Sequence, residues 1–218
     1  RTFLKDAGVS TLEALIITHY DKDHVGGAAK IAAEFRPAQI FLPDYKGSSK
    51  YCSEFMKSIS ENGLSAKTVS EDLRFSLGSA ELRIFASGIS YKDDKDGEGN
   101  DNDCSLVTAL SFREDSYLFA GDLEKDGIES FLSLHKGEGP FDVLKLPHHG
   151  NKKAGLKDLL AEVKPEIALI TDSADDPAAD SVLEILGESS VKNVYRSSKN
   201  GSVVICSSGI KDFNVSLY

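Results

Sequence analysis

The stretch ALIITHYDKDHVGG, residues 14–27, sets His19, Asp21, Asp23 and His24 within six positions, directly behind an apolar run. Imidazole offers borderline nitrogen and carboxylate offers hard oxygen, a mixture suited to zinc, manganese or iron. A buried strand that ends in this way delivers alternate side chains to one side while the chain turns, so the four groups converge on one small volume. Gly26 and Gly27 then let the backbone turn tightly into a helix whose first amides lie close to the same place. The plainer alternative is a polar strand-to-helix loop, with the aspartates capping a helix and the histidines at the surface. Four ligand-type residues at this spacing favour a cation site.

Two further stretches have the same form. SYLFAGD places Asp122 behind an apolar strand and a glycine, where a carboxylate can bridge two ions, and DVLKLPHHG places His148 and His149 at another strand end. A lone Gly-Asp behind a strand is commonplace. Three strand ends that all present ligand types are not. His135 lies late in a helical stretch and is expected to be a surface residue or a charge partner of the helix C-terminus.

The elements that must position these residues follow from periodicity. ALIIT, the helical GGAAKIAAEF and QIFLP make a β-α-β rhythm, and residues 50–62 read as a helix. From about residue 65 to 120 short strands dominate: LRFSL, ELRIFAS, SLVTALSF and SYLFAG, the last two joined by REDS as a hairpin. Helices then alternate with strands through LEKDGIESFLSL, FDVLKLP, AGLKDLLAEV, EIALITD, ADSVLEILGES and VKNVYR, and GSVVICSSGIKDFNVSLY closes as a hairpin. Strands interleaved with helices imply sheets covered by helices, an α/β arrangement. Residues 1–218 are read as one domain. The acidic segment 91–103 has no apolar face and is expected to be a solvated loop. Aligning Gly97 with the turn glycine of a calcium loop puts Lys92 at the first ligand position and Asp103 where glutamate is required, which speaks against calcium there.

A chain with 40% hydrophobic and 28% charged residues has the balance of a globular protein, and no apolar run is long enough to cross a bilayer. The formal net charge of −10 argues against a broad phosphate-binding surface, although Lys152 with Lys153 forms a local basic pair. Cys52, Cys104 and Cys206 are odd in number and lack a CxxC, so each is expected to be a small buried apolar residue. The chain opens on Arg1 and is expected to be a fragment.

Taken in order, THYDKDHVGG, NDNDCSLV, FAGDLE and LKLPHHG resemble the metallo-β-lactamase superfamily, and more narrowly the hydrolase domain of ComEC-type DNA-internalisation proteins and their soluble relatives. Most of the superfamily has histidine at the position of Asp21, whereas the ComEC-like branch carries aspartate. The resemblance implies an α/β fold of the αβ/βα sandwich type with metals at one edge of two sheets. Few residues precede ALIITH, so the branch's first N-terminal strands are expected to be missing from this chain.

The resemblance further implies two divalent ions, zinc or manganese, with iron also compatible. His19 and Asp21 hold one ion, Asp23, His24 and His148 hold the other, and Asp122 bridges. The superfamily's additional histidine is absent, and NDNDCSLV stands in its place, so Asn102 and Asp103 become candidates to touch a metal or support its ligands. Of the histidine pair, His148 is the favoured ligand, with His149 supporting it or facing substrate. Asp23, Asn102 and His149 are the implied catalytic residues, with Asp23 orienting a metal-activated water and accepting its proton. The reaction so implied is hydrolysis of phosphodiester bonds, nuclease-like, with nucleic acid as substrate; the alternatives are another ester, lactone or amide, or a metal-binding scaffold without catalysis. Asn151 stands where the family has serine, and DDPAAD where the branch has a His-Pro stretch, so substrate contacts are expected to differ. No membrane contact is expected from this segment itself. Its location would be the bacterial cytoplasm if free-standing and extracytoplasmic if part of a ComEC-type membrane protein.

Overall fold

A computed structural model describes residues 2–92 and 99–218. The calcium-loop alignment around Gly97 falls on residues outside the described ones. A short helix, α1 (Thr2–Asp6), precedes strand β1 (Ala14–Ile16), which is followed by helices α2 (Lys22–Val25) and α3 (Ala28–Phe35), strand β2 (Gln39–Pro43), helix α4 (Lys50–Glu61) and strand β3 (Lys67–Val69). The three strands form a parallel sheet in the order β1-β2-β3. Parallel neighbours need crossovers, and the sequence supplies helices with one apolar stripe. Ala28, Ala32 and Phe35 line the buried face of α3, and Cys52, Phe55 and Ile59 that of α4. The Ser49 hydroxyl starts α4 by accepting from the Cys52 amide at 3.1 Å.

A second, seven-stranded sheet contains β4 (Leu73–Leu77), β5 (Ala80–Phe85), β6 (Val107–Phe112), β7 (Asp115–Phe119), β8 (Val143–Lys145), β9 (Ile167–Ile170) and β10 (Asn193–Arg196). From β4 to β7 the pairing is antiparallel; from β7 to β10 it is parallel. Helices α5 (Lys125–Leu134), α6 (Leu156–Val163) and α7 (Asp180–Gly187) make the parallel crossovers. After β10 come helix α8 (Ser197–Asn200) and an antiparallel hairpin of β11 (Val203–Ser207) and β12 (Phe213–Leu217).

Alternation along the strands decides what covers each face. Ile17, Ile40 and Leu42 pack on α3 and α4, whereas Phe41 and Val69 meet Ile84 and Leu106 between the two sheets. Phe85, Leu118, Leu144 and Ala168 turn outward onto α5, α6 and α7, where Ile128, Phe131, Leu156 and Val182 await them. On the inner face of the parallel half, Tyr117, Val143 and Ile167 are covered by Ile205, Phe213 and Val215 of the hairpin. The layers run helix, sheet, sheet, helix. Each fully buried large apolar side chain contributes roughly 1.5–3 kcal/mol, so the wide core between the second sheet and its helices is the rigid base beneath the strand ends.

Two buried carboxylates pin the C-terminal segments. Asp115 accepts from the Ser207 hydroxyl and from the amides of Gly209 and Lys211, tying the hairpin to β7. Asp172 accepts from the amides of Ala178 (3.1 Å) and Ser198 (3.0 Å) and from Arg196 Nε (2.9 Å). Burial opposes its ionisation, but these donors prevail and hold the carboxyl at about 2.

Several expectations need correction. Cys52 and Cys104 are buried, but Cys206 is exposed because its position on β11 faces away from the covered sheet. His135 does end α5, yet it is buried, with its ring against Phe85 and Phe131. No helix among the described residues is long and apolar enough to cross a membrane.

Candidate metal centre

The ligand-type residues sit on loops at one edge where the two sheets meet. The Leu106 amide donates to the Thr18 carbonyl at 2.9 Å, joining the end of the first sheet to the segment that leads into β6. The first ligand run is not an open loop, because Asp23 and His24 ride on the single turn of α2. Gly26 and Gly27 both take right-handed helical angles. At Gly26 the need is for space: a Cβ would lie 2.3 Å from the Lys22 carbonyl oxygen.

Asp122 follows Gly121, whose φ of 55° turns the chain sharply off β7; a side chain there would meet Ser105 Cβ at 2.7 Å. The Asp122 amide donates to Ser105 Oγ at 3.2 Å. Behind β8, His148, His149 and Gly150 take three successive positive φ angles of 45°, 52° and 76°. Left-handed backbone at a non-glycine residue costs on the order of 1–2 kcal/mol, and strain of this kind collects where side chains must be aimed.

Asp23, His24, Asp122 and His149 bring one ligand atom each within 4.8 Å of one another. His149 Nε2 lies 3.0 Å from Asp23 Oδ2, 3.1 Å from Asp122 Oδ2 and 3.4 Å from His24 Nε2. His24 Nε2 lies 3.1 Å from Asp122 Oδ2. The ring of His148, the favoured ligand from sequence, is outside this group: its Nδ1 faces Glu124 Oε1 at 3.0 Å. The structure thus brings in His149 and turns His148 away, because consecutive left-handed residues point their side chains in different directions. His19 is fully buried, and its Nε2, 3.7 Å from Asp21 Oδ2, has no hydrogen-bond partner. This rules out the surface-loop alternative for His19.

Asn102 and Asp103 do other work. Asn102 Nδ2 donates to Glu124 Oε1 at 3.2 Å, and Asp103 Oδ1 accepts from the amides of Glu124 (2.9 Å) and Gly127 (2.7 Å), which caps the start of α5. Neither enters the Asp23–His24–Asp122–His149 group.

Supporting contacts that sequence reasoning missed set the ring orientations. Thr18 Oγ1 lies 3.0 Å from His19 Nδ1 and 3.2 Å from His24 Nδ1, and Ser105 Oγ lies 3.2 Å from His19 Nδ1. His149 Nδ1 donates to the Thr171 carbonyl at 2.9 Å. With Nδ1 occupied in each ring, Nε2 is the atom each presents to the site. Thr18, Ser105 and Lys145 all lie inside the motif runs, yet nothing in residue type separates such supports from spacers.

The electrostatics suit cations. Burial and the neighbouring His24 lower His19 to about 3, which keeps its ring neutral, the form that ligates. Burial opposes the ionisation of Asp122, but hydrogen bonds from His149 and His24 and the charge of Lys145 hold its carboxyl far below the ordinary range. The hydrogen bond to Asp122 pushes His149 up to about 8, so a cation at Nε2 has to displace a proton. Two carboxylates and two imidazoles in one group, with a buried unsatisfied nitrogen beside them, fit a divalent ion: an unpaired buried polar atom is costly, and a metal satisfies it. A cleft of about 370 Å³ opens beside Asp21, lined by Tyr20, Ser49, Tyr91, Asn102 and Glu124 among others.

Comparison with known proteins agrees with this geometry. The sequence model of the metallo-β-lactamase superfamily matches residues 2–170, and the chain belongs to that superfamily. Within it, the chain is a relative of ComEC-type competence proteins: it is 26% identical over 211 residues to ComE operon protein 3 of Bacillus subtilis, covering 92% of this chain and 25% of that protein. It is 27% identical over 180 residues to Recombination protein 2 of Haemophilus influenzae, covering 80% of this chain and 19% of that protein. The chain therefore spans a quarter or less of the length of these curated relatives. The metallo-β-lactamase fold protein YhfI of Bacillus subtilis superposes with a TM-score of 0.56 at 12% identity, covering 89% of this chain and 78% of that one. The sandwich fold expected from the motifs is the observed fold. The chain is a metal-dependent hydrolase of this superfamily with ComEC-related homologues.

Proposed function

We propose that this chain hydrolyses phosphodiester bonds with a metal-activated water, as a nuclease-like enzyme using two zinc or manganese ions. The observation that carries the metal dependence is the meeting of Asp23, His24, Asp122 and His149, drawn from both sheets, next to the unpartnered His19 Nε2. When bound, divalent ions supply Lewis acidity and lower the pKa of water toward neutrality. Asp23, His24, Asp122 and His149 would hold one ion, and His19 with Asp21 would contribute to a second across Asp122. Asp23 has the most exposed side chain of the group, at 62%, and is placed to orient the water and take its proton. Asn102 and His148, both against Glu124 beside the cleft, would contact the substrate. The phosphodiester preference draws on the relatives, one of which is a recombination protein by name. Lys152, whose ammonium lies 3.9 Å from Glu124, adds an exposed cation near the cleft.

A second reading has one observation in its favour. Asp21, Asp103 and Glu124 line the cleft, and carboxylates there disfavour a polyanion and suit an uncharged ester, lactone or amide. The purified chain loaded with manganese or zinc should be offered bis-p-nitrophenyl phosphate, single-stranded DNA, a lactone and a β-lactam. Turnover of the first two, absent in Asp122→Asn, is the expected result. Turnover of the lactone alone would favour the second reading, and no turnover by a metal-loaded sample would leave a binding scaffold.

A further inference from the structure

Asp122 divides its two oxygens between different partners. Oδ2 faces the Nε2 atoms of His24 and His149, at 3.1 Å each. Oδ1 faces Lys145 Nζ at 3.2 Å, and that ammonium also donates to the Gly121 carbonyl at 2.9 Å. Lys145 ends β8, and its side chain is only 14% exposed, so the charge is anchored within the protein instead of swinging into solvent.

A carboxylate that bridges two ions must give one oxygen to each. With Oδ2 serving the group that includes His24 and His149, a second ion needs Oδ1, the atom Lys145 already holds. The other donors on that side are sparse. His19 Nε2 and Asp21 Oδ2 stand 3.7 Å apart, and the nearby Ser105 hydroxyl is engaged by His19 Nδ1 and the Asp122 amide. Two protein donors do not close a site for a transition ion, which takes three or four. An ammonium and a divalent ion on the same buried carboxylate also repel each other.

We propose that Lys145 makes the two ion positions unequal: its ammonium holds the Asp122 oxygen that a second ion requires, so the Asp23–His24–Asp122–His149 position fills first and tightly. The His19–Asp21 position then fills last and weakly, at the expense of the Lys145–Asp122 ion pair. This rests on the metal-dependent reading above and adds an order of loading and the residue that sets it. Lys145 is a positioning residue here, acting through Asp122.

Manganese alone is the probe, added to the intact chain and followed by calorimetry and by electron paramagnetic resonance, which distinguishes an isolated Mn²⁺ from a spin-coupled pair. Wild-type protein should keep one ion through gel filtration and bind the second more weakly, with the coupled signal appearing only in excess metal. Lys145→Met keeps the stem and removes the charge, and should tighten the second ion by about 10- to 100-fold, the usual scale for a group that supports metal ligands. Lys145→Arg should keep the wild-type order. Two ions of equal affinity in the wild type would overturn the proposal, as would a Lys145→Met protein whose affinity gap is unchanged. The wild-type measurement decides the matter by itself if Lys145→Met fails to fold. Complete absence of manganese binding would instead overturn the metal centre, a separate failure.

Discussion

His149 Nε2 lies 3.0 Å from Asp23 Oδ2 although the two residues are 126 positions apart in the chain. Asp23 arrives from the first sheet by way of α2 and His149 from the second by way of β8, so the metal centre exists only where the ends of both sheets are held together. The neighbouring His148 takes no part in that meeting and faces Glu124.

The pair of histidines therefore separates by alanine substitution. Both hold left-handed backbone, with φ of 45° and 52°, so alanine at either position carries comparable strain and the comparison isolates the ring. His149→Ala is expected to lose bound metal, and His148→Ala to retain it. Metal-to-protein ratios from atomic emission after gel filtration check this. Metal retained by His149→Ala and lost by His148→Ala would reverse the assignment.

Thr18 has a role that its type does not advertise, since its hydroxyl touches Nδ1 of both His19 and His24. Thr18→Val preserves shape and removes that contact. Metal affinity should fall by about 10- to 100-fold, as for other supports of ligating histidines. Competition against a fluorescent chelator reads the change, and an unaltered dissociation constant would refute the role.

Asp122 and Lys145 form a buried pair, at 4% and 14% side-chain exposure. Removing one partner strands the other, at a cost of about 3–5 kcal/mol. Asp122→Asn in chelator-treated protein should be destabilised on that scale, and adding Lys145→Met should restore part of the loss. Urea denaturation of the two single variants and the double variant tests the coupling. Strictly additive losses would show that the pair contributes nothing as a pair.

Acid stability should depend on Asp172, whose folded pKa of about 2 lies below the unfolded value near 4. A depressed carboxylate stabilises the fold fully above the unfolded pKa, and that contribution is lost as pH falls through the folded one. The amount is about 2 kcal/mol, lost between roughly pH 4 and pH 2. Asp172→Asn should flatten the stability curve across that interval. A slope between pH 4 and pH 2 identical to wild type would contradict the assignment.

Much of the architecture was legible because the signals are local. Runs such as QIFLP and FDVLKLP carry their own burial pattern, and the apolar stripes of α3 and α4 repeat within one helix. The elements that escaped notice lack such a pattern: β3 buries only Val69, and α1 and α8 bury nothing. The ligand types and their three strand ends were equally readable, since each sits immediately behind an apolar run.

Contacts across the chain were another matter. Asn102 and Asp103 lie in a motif and were read as neighbours of the metals, but their side chains serve Glu124 and the first turn of α5. Residue order alone determined that this chain has the strand–helix rhythm of its superfamily and carries ligand chemistry at the turns. Tertiary structure alone decided which histidine enters the group, which hydroxyls steer the rings and which oxygen of Asp122 meets Lys145. The physical reason is range: burial periodicity is set by nearby residues, whereas a side chain's aim depends on left-handed backbone angles and on partners delivered by a different sheet.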